Sequence, residues 1–75
     1  MKTQIKVKMN KGNRKVDGEF DMDGNFYAIY KKHEIFIDKE DKVFYYRLHD
    51  KKGLLVVDGW EQDILTCLKQ CLENV

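Results

Sequence analysis

The 75-residue chain predicts an α+β fold: an antiparallel meander sheet of five to six strands, open or curled into a partial barrel, with one C-terminal α-helix packed on one face. Three observations predict it. Polar and apolar residues alternate with the period of a half-buried strand over Thr3–Met9 and again over Val16–Met22. From Asn25 to Val57, segments of β-branched and aromatic residues recur between turns of Gly, Asn, Asp and Lys. Apolar residues at helical spacing occur only at the end of the chain.

The first hairpin is expected from residues 3–9 and 16–22, joined by turn chemistry at Asn10-Lys11-Gly12-Asn13-Arg14. A register with Lys8 opposite Asp17, Lys6 opposite Glu19, Gln4 opposite Asp21 and Lys2 opposite Asp23 satisfies both faces. It also places Met9 with Val16, Val7 with Gly18, Ile5 with Phe20 and Thr3 with Met22. Residues 1–16 carry six bases and no acid, against eight bases and thirteen acids in the rest. In this register the basic start is neutralised by its own neighbouring strand.

The meander strands are expected over residues 25–57. Asp23-Gly24 signals a tight turn, followed by Asn25–Lys31, Glu34–Asp38, Val43–His49 and Leu54–Val57. Threading them gives one face with Tyr27, Ile29, Phe36, Phe44, Tyr46, Leu48, Leu55 and Val57. The other carries Phe26, Ala28, Tyr30, Ile35, Ile37, Val43, Tyr45, Arg47, His49 and Val56. Both are apolar for an open antiparallel sheet, which usually leaves one side polar.

A helix over 59–73 closes the chain. Asp58-Gly59-Trp60-Glu61 has the spacing of a capping box, and Ile64, Leu65, Leu68, Cys71, Leu72 and Val75 form an apolar stripe with Trp60 and Cys67 at its edge. One helix covers one sheet face. The other must be covered by the curling hairpin, a second copy, or a ligand.

Length allows one core, so residues 1–75 read as a single domain. Net charge is +1, with 43% hydrophobic and 36% charged residues. Such a balance offers no global field for nucleic acid or an anionic membrane. No apolar run reaches membrane-spanning length and Met1–Lys6 has no signal-peptide core. Two cysteines make no disulfide framework, and a cytoplasmic protein with reduced thiols is expected. A composition rich in Lys, Asp and Ile suits a small protein of a low-GC bacterium, its phage or another mobile element.

No catalytic, cofactor or metal site is expected. Cys67 and Cys71 lie four apart on the helix, but paired zinc-ligand spacing is missing, and core packing explains them. Asp21-Met22-Asp23-Gly24-Asn25 has its glycine two positions early for a calcium loop and Lys32 where the bidentate Glu belongs. His33 and His49 lack triad-like neighbours, and His49 beside Asp50 reads as a solvated turn residue.

The expected function is therefore a non-enzymatic protein-interaction module. It would act through the second face at Tyr30, Ile35, Ile37, Val43, Tyr45 and Arg47, binding itself as a homodimer or another protein. The alternative is a nucleic-acid-binding regulator that stacks bases on Tyr45 beside Arg47, with phosphate contacts from Lys11, Arg14 and Lys15.

Overall fold

A computed structural model describes residues 1–75. Six strands, β1 (Lys2–Met9), β2 (Gly12–Phe20), β3 (Phe26–Tyr30), β4 (His33–Glu40), β5 (Val43–His49) and β6 (Leu55–Glu61), precede one helix, α1 (Ile64–Leu72). The strands form one antiparallel meander in chain order, and β1 does not pair with β6, so no barrel closes. The helix touches β4, β5 and β6 and also β1. A flat sheet could not bring β1 and β6 to one helix about 10 Å wide; the sheet curls around it.

The core fills the inside of that curl. Val7, Val16, Phe26, Ala28, Ile35, Ile37, Tyr46 and Leu48 from the sheet meet Cys67, Leu68, Cys71 and Leu72 from the helix, all buried. The strands alternate one inward, one outward, so each gives the core every second residue. Gly18 and Gly59 matter here because they lack a side chain: the Phe26 ring lies over Gly18 and the Tyr46 ring over Gly59.

Three expectations need correction. In the first hairpin Lys2 faces Glu19, Ile5 faces Val16 and Lys6 faces Lys15, a slide of four residues from the expected register. The faces survive the slide, but the ion pairs do not. Both registers pair eight positions, but the observed one closes on the two-residue turn Asn10-Lys11 in place of a six-residue loop, and surface ion pairs of ~0.2–1 kcal/mol did not decide between them. Gln4 Nε2 instead donates to Asp17 Oδ1 at 2.9 Å. The basic row is left without the acids assigned to it.

In the β4–β5 hairpin the phase differs. The turn is the two-residue Asp41-Lys42, which sets Glu40 opposite Val43, Ile37 opposite Tyr46 and Ile35 opposite Leu48. Ile35 and Ile37 therefore share the inner face with Tyr46 and Leu48, while Phe36 shares the outer face with Tyr45 and Arg47.

The helix starts five residues later than expected. Asp58 to Glu61 continue β6, paired with β5 from Arg47 to Phe44. The cap is Asp63, whose side chain accepts from the Thr66 backbone N–H at 2.7 Å. Within the stripe Leu65 is exposed, while Ile64 and Val75 pack at the rim of the core. At the far end Arg14 Nη1 donates to the Leu72 carbonyl at 3.3 Å, a cation set against the negative pole of the helix.

Candidate functional site

The outer face is covered by no element of the chain. Tyr27 and Ile29 come to it from β3, Glu34, Phe36 and Asp38 from β4, Val43, Tyr45, Arg47 and His49 from β5, Asp58 and Trp60 from β6. Ile29 is 61% and Trp60 57% exposed, so this surface is not a second core.

Its rings are arranged by strand pairing. Tyr27 stands directly opposite Phe36, ring centroids 5.1 Å apart, and Tyr45 opposite Trp60 at 4.9 Å. Between the pairs, the Arg47 guanidinium lies over the Phe36 ring at 4.7 Å and reaches Asp38 Oδ2 at 3.9 Å. His49 meets Phe36 edge-on at 5.5 Å. The result is a band of four rings and one guanidinium running across β3 to β6.

Carboxylates fasten the band. The Tyr27 hydroxyl donates to Glu34 Oε2 and the Tyr45 hydroxyl to Asp58 Oδ2, both at 2.7 Å. Those bonds to an ionised acceptor push both phenols above the usual tyrosine value. Of the four rings, Tyr27 and Trp60 remain exposed for contact, while Phe36 lies under Arg47. Chemically this is a surface for packing and hydrogen bonding, with no nucleophile and base held together.

The expected site residues divide. Val43, Tyr45 and Arg47 stand on the outer face. Ile35 and Ile37 are fully buried in the core, and Tyr30 packs against it from the inner face, so these three leave the site. Tyr27, Phe36 and Trp60 take their place. Trp60 could have been found, because Val56, Asp58 and Trp60 keep strand alternation that the capping pattern masked.

The residues of the nucleic-acid alternative are not gathered. Lys11 is at the β1–β2 tip, Arg14 is turned to the helix end, and Lys15 lies on the outer face opposite Lys6. Tyr45 and Arg47 are separated from them by β3 and β4. The other candidates have structural roles. Asp21 Oδ1 accepts from the backbone of Asp23 and Asn25, both at 2.9 Å, and Oδ2 from Asn25 Nδ2 at 3.1 Å. These donors lower its pKa and occupy the carboxylate a calcium ion would need.

Cys67 and Cys71 are buried free thiols, and desolvation pushes each up to about 12. No group of three or more His, Cys, Asp or Glu side chains converges as metal ligands. His49 is not the solvated turn residue expected. Its Nδ1 lies 3.0 Å from the Gly53 carbonyl, which can only accept, so Nδ1 carries the proton. Nε2 is enclosed without a partner.

No helix is long and apolar enough to cross a membrane. Comparison with protein-family models, with curated proteins and with solved structures finds no match.

Proposed function

We propose that this is a small non-enzymatic interaction module whose outer sheet face binds a protein partner, either a second copy or another chain. The observation that carries the reading is the ring-and-guanidinium band of Tyr27, Phe36, Arg47, Tyr45 and Trp60 on a face that nothing in the chain covers. Tyr, Trp and Arg are the residue types that concentrate binding energy at interface centres, the aromatics by large contact area at little rotamer entropy and Arg by a planar head with several donors. The band is also preorganised. Each tyrosine is held by its carboxylate and the arginine by ring and acid, so little ordering remains to be paid on binding.

The test separates contact from stability. Tyr45→Ala and Trp60→Ala are compared with the wild-type protein for thermal melting and for capture of partner, including added wild-type protein. The reading expects melting within a few degrees of wild type and captured partner lost in both variants. Retained capture in both, or a stability loss that accounts for the lost capture, removes the face as a binding surface.

A further inference from the structure

We infer that the end of the sheet carrying the β3–β4 and β5–β6 turns docks on an anionic lipid surface. The near-neutral chain gathers lysines at one end of the strands. The three hairpin turns at one end carry Lys11, Lys31-Lys32 and Lys51-Lys52. The opposite end mixes Asp21, Asp23, Glu40, Asp41 and Asp63 with Lys2, Lys39 and Lys42. Twenty residues apart in sequence, the two Lys-Lys pairs meet because Glu34 at the start of β4 pairs with His49 at the end of β5. Together with His33 and Leu54 they line one open cleft.

Only one acid shares that cleft. Asp50 is occupied by its own turn, Oδ1 accepting from the backbone of Lys52 at 2.8 Å and Leu54 at 3.0 Å. Glu34, one residue inward, is held by the Tyr27 hydroxyl.

Two further observations choose the partner. Leu54, which lines the cleft, and Leu55 and Val56 after it are 63%, 53% and 43% exposed, aliphatic surface that begins at the cationic cleft. Phosphate alone, free or in a nucleic acid, does not explain exposed aliphatics; an anionic bilayer takes the lysines at its headgroups and the leucines just beneath. The second is strain. Lys31 and Lys32 occupy left-handed backbone, φ 48° and 66°, in a turn that favours Asn-Gly. Lysine is held at both positions against its conformational preference, the kind of local cost that collects at functional sites.

The test is cosedimentation of the intact protein with vesicles of phosphatidylcholine alone or with about 30% phosphatidylserine, at low and high salt. Wild-type protein is expected on the anionic vesicles only, released as salt rises. Lys51→Glu with Lys52→Glu should lower partition at least about tenfold, since each surface lysine contributes roughly fivefold. Leu54→Ser with Leu55→Ser should leave melting unchanged and weaken binding to the anionic vesicles at low salt. Absence from anionic vesicles at low salt, equal binding to neutral ones, or indifference to the lysine changes overturns the inference. So does indifference to the leucine changes. A single-stranded oligonucleotide bound through the same lysines, with vesicles ignored, would mark a polyanion site of another kind.

Discussion

Gly59→Ala probes how β6 is held, because that glycine stands opposite Tyr46 in the β5–β6 ladder. A Cβ built at Gly59 would lie 2.6 Å from Tyr46 Oη, 2.9 Å from Cζ and 3.0 Å from Cε2. Tyr46 is only 6% exposed, enclosed between the sheet and the helix, so its ring has little room to retreat. Forcing a methyl into such a contact costs typically ~1–3 kcal/mol. Gly59 is not in left-handed backbone, so alanine also gains about 0.4–1 kcal/mol by restricting the unfolded chain. The balance is a loss of about 1–2 kcal/mol, or a melting temperature lower by roughly 5–15 °C for a domain of this size.

The assay is thermal or urea unfolding of Gly59→Ala, Tyr46→Phe and the double variant. Tyr46→Phe removes the nearest of the three atoms but leaves two tight ones. The alanine should therefore cost less in the Phe background, with a coupling of about 0.5 kcal/mol or more. A Gly59→Ala protein as stable as wild type, or an alanine cost identical in both backgrounds, refutes the ring-over-glycine contact.

Three other outcomes are expected. Leu68, fully buried on the inner face of the helix, should not tolerate charge, and Leu68→Asp should lose the cooperative melting transition by circular dichroism; an unchanged transition would mean that the helix face is wrongly assigned. The buried thiols Cys67 and Cys71 make stability fall in alkali. The native state keeps both protons up to about 12 while the unfolded chain releases them from about 9, so native protein binds more protons in that window. The urea midpoint should drop between those pH values, and less steeply in Cys71→Ala; equal slopes would contradict it. Lys31→Asn with Lys32→Gly should raise the melting temperature by a few degrees, since a left-handed lysine costs ~1–2 kcal/mol and glycine returns only part through unfolded-state entropy. A lower melting temperature would remove the argument from strain.

Alternation was legible and partnership was not. Ile5, Val7, Val16, Phe26, Ala28 and Leu48 follow a period of two that a single strand reveals by itself. Register depends on turns. Charge pairing favoured a slide of four residues, yet Asn10-Lys11 closes a two-residue turn, and Lys31-Lys32 does so without the Asn-Gly that would announce it. The site depends on this phase: Ile35 and Ile37 fall beside Tyr45 and Arg47 only with β5 threaded one residue out of step, and the observed pairing sets Ile37 opposite Tyr46. Tyr45 and Arg47 survived because their outward position is the same in either threading. Trp60 was lost to a capping pattern whose acid, Asp58, accepts instead from Tyr45.

The outer band has a competing explanation that needs a direct answer. Cross-strand aromatic pairs stabilise sheets by ~0.2–1 kcal/mol each, so Tyr45 and Trp60 could serve the fold alone. The geometry of the curl weighs against that. The helix is nine residues, about 14 Å long, and the sheet bends round it until β1 reaches it. Pairing of β2 with β3 shrinks to Gly18–Phe20 with Phe26–Ala28 as the sheet bends. Every fully buried residue is already on the inside, and a β-branched polar residue would satisfy an exposed strand position outside. Trp60→Thr distinguishes the two roles, because threonine keeps strand propensity while removing the ring. A sheet-stabilising role predicts a loss of roughly 0.5–1 kcal/mol in urea unfolding with partner capture intact. The interaction role predicts near-native unfolding with capture abolished, and finding the first pattern would return the band to the fold.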